Sequence, residues 1–182
     1  MKKLPSIAII IVLVIIGFGI GWKITKKETP APTVLNFTEC LNAGNIVRES
    51  YPRQCQYNSQ VFVEDVGNEL EKTDLIRIDS PRPNQAVKSP LVITGEARGN
   101  WFFEASFPVF LIDWDGRIIA QGIATAKSEW MTTDFVPYEA TLTFELEKDI
   151  YSNRGTIILQ KDNPSGLSEH DDALEIPVLL EN

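Results

Sequence analysis

Hydrophobic positions fall in three regimes along the chain: one unbroken apolar run, a short mixed stretch, and a long series of alternating runs. Ile7 to Trp22 carries no charge, and the apolar segment counted from Leu4 to Trp22 spans 19 residues bracketed by Lys2, Lys3, Lys23, Lys26 and Lys27. At about 1.5 Å per residue such a helix covers roughly 28 Å, close to a bilayer core. From residue 74 onward the pattern has period two. Leu75–Asp79, Leu91–Glu96, Phe107–Trp114, Arg117–Gly122, Thr141–Leu146, Thr156–Lys161 and Leu174–Leu180 read as strands bounded by turn residues. Asp115-Gly116 marks a tight hairpin between the third and fourth. Seven short antiparallel strands in about a hundred residues predict an immunoglobulin-like β-sandwich. Leu111, Leu142, Phe144 and Ile176 are its expected core, and Asp149–Arg154 is read as a polar loop.

Between these regions lie the only two cysteines, Cys40 and Cys55. Thr38 is placed to cap a short helix through Ala43 with Gly44 as its stop, and Gln54–Tyr57 with Gln60–Glu64 reads as a hairpin. So small a unit buries little core, and in an exported setting the cysteines are expected to form one disulfide. Two cysteines without companion histidines do not make a zinc site, and C-x-x-C redox spacing is absent. The expected organisation is an all-β chain with an N-terminal anchor over 1–27, a Pro-rich spacer over 28–35, a two-cysteine module over 36–66, a linker over 67–73 and the sandwich over 74–182.

Charge adds location. All 25 acidic residues follow residue 27, whereas five of the 17 basic ones precede it, leaving 12 against 25 and a net charge of −13 beyond the anchor. Such a surface repels nucleic acid and anionic headgroups, so no nucleic-acid partner is expected. No A-x-A-like cleavage site follows the apolar run, which favours an uncleaved signal anchor over a removed signal peptide. Lysine counts on its two sides are nearly equal. The acidity and the cysteine pair place the C-terminal domains outside the cytoplasmic membrane, with the N-terminus inside.

Several motifs in order carry a family resemblance: Ile78-Asp79-Ser80-Pro81-Arg82-Pro83-Asn84, Ile93-Thr94-Gly95-Glu96-Ala97-Arg98-Gly99, Trp101 to Val109, Glu129-Trp130-Met131-Thr132-Thr133, Phe135-Val136-Pro137-Tyr138 and Lys161-Asp162-Asn163-Pro164-Ser165-Gly166. Together they resemble the Gmad2 domain, an immunoglobulin-like domain found beside germination-type and other extracytoplasmic modules of bacterial surface proteins. The resemblance covers nearly all of 76–180. It implies a sandwich on an exported or anchored protein, and it implies no catalytic residues.

Trp101 and Trp130 are the candidate binding residues, because exposed aromatic faces stack on sugars or fill partner pockets. Against this stands the need of a disulfide-free sandwich for large core side chains. Arg98 is expected to pair with Glu104 or Glu129. Ser168-Glu169-His170-Asp171-Asp172 holds the only histidine, but a nucleophile and base must meet across a fold, and no nucleophile elbow is present. Its carboxylates match no EF-hand spacing and read as a solvated loop, so neither metal nor cofactor is expected. The function expected is non-catalytic: binding a protein or cell-wall partner, or scaffolding an envelope assembly. A structural accessory subunit of a membrane complex and, behind it, a cell-wall hydrolase are the other readings.

Overall fold

The computed structural model describes residues 33–148 and 151–182. Among them no helix is long and apolar enough to cross a membrane. The anchor expected over 1–27 lies outside the described residues.

The two-cysteine module opens with helix α1 (Phe37–Asn42), followed by β1 (Ile46–Arg48), β2 (Gln54–Tyr57) and β3 (Gln60–Val63) in a three-stranded antiparallel sheet. Asn36, not Thr38, caps α1. Its side chain accepts from the Glu39 N–H at 2.9 Å, and the Glu39 carboxylate reaches back to the Leu35 N–H at 2.8 Å. This reciprocal box satisfies two otherwise orphaned donors and starts the helix two residues before Thr38 could. Cys40 on α1 is bonded to Cys55 on β2, with Cα atoms 6.1 Å apart. Both are fully buried and pack with Val34, Phe37, Val47, Tyr57 and Phe62. In the chain-entropy view a loop of this length stabilises by about 3 kcal/mol, a large share for so small a core.

The stretch read as a linker contains a short helix, α2 (Glu69–Lys72). It is fixed to the sandwich at Asn68, whose side chain accepts from Glu175 N–H at 2.8 Å and donates to Ala173 C=O at 2.9 Å. Lys72 adds an ion pair with Asp172 at 2.6 Å. Residues 34–182 accordingly form one compact unit.

The main domain has eight strands: β4 (Ile76–Ser80), β5 (Ala86–Val87), β6 (Leu91–Arg98), β7 (Ser106–Asp113), β8 (Ile118–Ala126), β9 (Phe135–Leu142), β10 (Arg154–Gln160) and β11 (Ala173–Leu180). They are ordered β4-β6-β9-β8-β7-β10-β11-β5. Every neighbour pair is antiparallel except β11 with β5. Alternate residues are buried on β6, β7, β9, β10 and β11, and Ala120 and Ala124 on β8, so one face of this sheet is apolar, and among the described residues no helix covers it. The sheet covers itself. β8 and β9 pair only at Thr125↔Glu139 and Ala126↔Tyr138, which makes a corner. Beyond it, Phe107 of β7 meets Tyr138 of β9 edge-on with ring centroids 5.0 Å apart, although these strands share no ladder. The result is a sandwich of β4-β6-β9 against β8-β7-β10-β11-β5 around one core.

Leu111, Leu142 and Ile176 are fully buried and Phe144 is 5% exposed, as the alternation requires. The strand expected over Thr141–Leu146 instead runs from Phe135 to Leu142. Pro137 hides it from a reading that treats proline as a breaker. Its carbonyl accepts from Lys127 N–H at 2.8 Å, so its nitrogen faces the β8 side where pairing has ended and no donor is missed. β5 is too short to show periodicity. At Gly95 the Tyr138 side chain crosses β6 to donate to Arg77 C=O at 2.9 Å, and a Cβ there would lie 2.5 Å from the Tyr138 oxygen. Burial pushes the Tyr138 hydroxyl pKa far up, keeping it a donor.

Module and sandwich meet across two buried carboxylates. Glu64 accepts from Arg53 Nε at 2.9 Å and from its terminal nitrogen at 2.6 Å, and Asn84 of the sandwich adds 3.3 Å. Glu69 pairs with Arg82 at 2.7 Å and accepts the Tyr51 hydroxyl, which in turn receives Arg82 at 2.9 Å. The Arg53 hydrogen bonds hold the Glu64 carboxyl below its usual range, outweighing the burial that would raise it.

A depressed folded-state pKa contributes stability that is present above the unfolded value and lost as pH falls through the folded one. The thermal midpoint is therefore expected to hold at neutral pH and to fall once pH drops below about 4, the usual carboxylate range. In Glu64→Gln this fall is expected to shrink, and Arg53→Ala at pH 7 is expected to lose about 1–3 kcal/mol. Thermal unfolding of the three proteins across pH 2.5–7 checks it; identical acid profiles for wild type and Glu64→Gln would remove Glu64 as the source.

Candidate binding site at one end of the sandwich

The β7–β8 turn is built around Asp113. One of its carboxylate oxygens accepts the N–H groups of Asp115 and Arg117, each at 2.9 Å, and the other takes Arg117 Nε at 2.8 Å. Gly116 supplies the left-handed backbone (φ +79°) that closes the turn. Burial by itself would raise the Asp113 carboxyl, but the converging donors from Arg117 and Asp115 bring it below its ordinary value. The Arg117 guanidinium is correspondingly held charged by Asp113. A turn this well tied has no interior to offer Trp114, which projects outward and is 47% exposed.

The connection after β9 comes up beside it. Tyr151, 87% exposed, places its ring 5.0 Å from that of Trp114, tilted by 46°. The two rings border a cavity of about 420 Å³ whose wall also includes Asp113, Arg117, Glu145, Glu147 and Leu146. Arg117 lies 3.7 Å from Glu147. Two touching aromatic rings at the mouth of a cavity with charged walls can hold a ligand by stacking and by charge.

The tryptophans singled out by sequence are placed elsewhere. Trp101 is 1% exposed within a 3₁₀ turn (Gly99–Trp101) and belongs to the core, so it has no surface face to stack on. Trp130 is partly buried and packs against the same core. Neither lines the Trp114 cavity. Trp114 and Tyr151 were hidden, one read as a strand end and the other as part of a polar loop. A usable signal was present: a large ring inside Asp113-Trp114-Asp115-Gly116, a turn that leaves it nowhere to be buried.

Arg98 pairs with neither Glu104 nor Glu129. It donates to Asp74 C=O at 3.1 Å and Thr133 C=O at 2.9 Å and lies over the Phe135 ring. In the Ser168–Asp172 stretch His170 is exposed, and its ring nitrogen meets Ser165, not Ser168, at 3.0 Å. The Ser165 hydroxyl also contacts Asn163 Oδ1 at 2.5 Å and accepts Leu167 N–H at 3.2 Å, so its bonds serve the turn. Among the described residues no group of three or more His, Cys, Asp or Glu side chains is placed to hold a metal ion.

Residues 75–168 match the family model of Gmad2, described as the immunoglobulin-like domain of bacterial spore germination. No curated protein and no solved structure matches the chain significantly.

The two environments of tryptophan give opposite expectations. Trp101→Ala is expected to destabilise by about 3–5 kcal/mol, as Leu111→Ala does by about 2–5. Trp114→Ala is expected to stay within about 0.5 kcal/mol of wild type. Denaturant unfolding of the three variants decides it; a Trp114 variant as unstable as the Leu111 one would make that ring part of the fold.

Proposed function

The chain belongs to the Gmad2 family of immunoglobulin-like domains, and from that premise we propose a non-catalytic bacterial envelope protein that binds a partner outside the cytoplasmic membrane. The apolar run over 4–22, with its flanking lysines, is its single-pass anchor, with the N-terminus inside. The acidic ectodomain, with a net charge of −13 beyond the anchor, and the disulfide favour the oxidising side of that membrane. The binding surface is the open end of the sandwich, and the Trp114–Tyr151 pair is the observation that carries this reading. Two exposed rings in mutual contact beside a cavity form an aromatic surface that a ligand can cover. The partner is a wall polymer or a surface protein.

The full-length protein in nonionic detergent is expected to be retained by purified wall polymer or by an envelope extract, and Trp114→Ala and Tyr151→Ala are expected to weaken retention by about tenfold, matching 1–2 kcal/mol of stacking. Trp130→Ala serves as the control. Retention unchanged in both ring variants, each with a wild-type unfolding midpoint, would refute this surface.

A further inference from the structure

We propose that the Trp114–Tyr151 cavity recognises an organic ammonium group, the protonated amine of an amino sugar or of a diamino-acid side chain. The inference rests on the reading of these two rings as the binding surface. It comes from a contrast with three other rings of this protein, each faced by a guanidinium. Phe135 is covered on two sides, by Arg77 at 4.0 Å and by Arg98 at 4.1 Å. Arg82 lies over Tyr51 and Arg53 over Phe37, each at 5.4 Å. Among the described residues no guanidinium or ammonium lies over Trp114 or Tyr151, the pair that includes the ring type most attractive to cations.

The charges around the cavity point the same way. Its one guanidinium, Arg117, is committed to Asp113 at 2.8 Å, which matches one charge with one charge. Glu147 is 77% exposed and only 3.7 Å from the same guanidinium, and Glu145 lines the cavity with no ion-pair partner among the described residues. Three carboxylates therefore face one cation, an excess of two negative charges beside two electron-rich rings. A neutral sugar would use the rings and leave the carboxylates idle, and an anion would be repelled. An ammonium on a small apolar body uses both, with the body against the rings and the charge toward Glu145 and Glu147.

The test is calorimetric titration of the full-length protein in nonionic detergent at low salt with paired probes. One pair is a glucosamine tetramer and its N-acetylated form; the other is a lysine-containing tetrapeptide and its ε-acetylated form. At least one amine probe is expected to bind about tenfold or more tightly than its acetylated partner. The Glu145→Gln/Glu147→Gln double variant is expected to weaken that probe by about tenfold and to flatten its salt dependence. Because both carboxylates are exposed, this variant stays informative if Trp114→Ala fails to fold. Whichever pair responds identifies the source of the amine. Equal binding of acetylated and free forms, lost in Trp114→Ala, overturns the ammonium assignment and leaves the binding surface standing. Absence of binding by either amine, or binding untouched by the double variant, also overturns it; retention of wall polymer that still depends on Trp114 would then keep the surface itself.

Discussion

Two carboxylates buried where the module meets the sandwich set the terms for the module and for α2. Glu64 and Glu69 are each under a tenth exposed, and a carboxylate so withdrawn from water is tolerated only if charge and hydrogen bonds replace its hydration. Arg53 does this from within the module. Arg82 and Asn84 do it from the sandwich side, and Tyr51 reaches Glu69 across the seam. Such bonds have direction, unlike apolar contact, so they fix one orientation of the module. Its own core, one disulfide and a few partly buried rings, could not do that alone.

A second constraint follows from the sheet. With one apolar face that no helix among the described residues covers, the eight strands fold over on themselves, and the corner between β8 and β9 is where they do so. Folding gathers connections at the ends of the layers, which is where immunoglobulin-like sandwiches carry their binding loops. Trp114 and Tyr151 come from two such connections, the β7–β8 turn and the segment before β10. The second is held at its far end by Asn153, whose carbonyl accepts Leu180 N–H at 2.7 Å. Asp113 holds the first. The turn that presents Trp114 is tied by three hydrogen bonds to Asp113, and a preorganised surface loses less entropy on binding.

How much of this was legible depended on the range of the interaction responsible. Leu111, Leu142 and Ile176 announce themselves because burial on a strand is a local, period-two matter. β9 did not, because Pro137 reads as a breaker until the neighbouring strand is seen to end beside it. Trp101 sits in a 3₁₀ turn, where alternation has no meaning, so its side of the surface could not be read from spacing. The capping residue was misplaced by two positions because Asn36 and Thr38 are both good caps, and only the returning Glu39 carboxylate separates them. The seam was invisible: Arg53, Glu64, Glu69 and Arg82 look like ordinary surface charges, and their pairing spans 11 and 13 residues through a fold not yet built. The disulfide was legible because there was only one way to pair two cysteines.

The seam and the cavity are also neighbours through one short segment. Tyr151 and Ser152 border the aromatic cavity, while Asn153 and Arg154 border a second cleft of about 590 Å³ with Phe37 and Leu41 of α1. Four consecutive residues thus separate the binding rings from the module that Glu64 and Glu69 hold in place. Asn153 links the two surroundings: its carbonyl accepts Leu180 N–H at 2.7 Å, so the segment that begins at Tyr151 enters β10 beside that cleft. Glu64 lines the same cleft, so the residue whose buried charge orients the module and the residues that lead on from the binding ring meet at one surface.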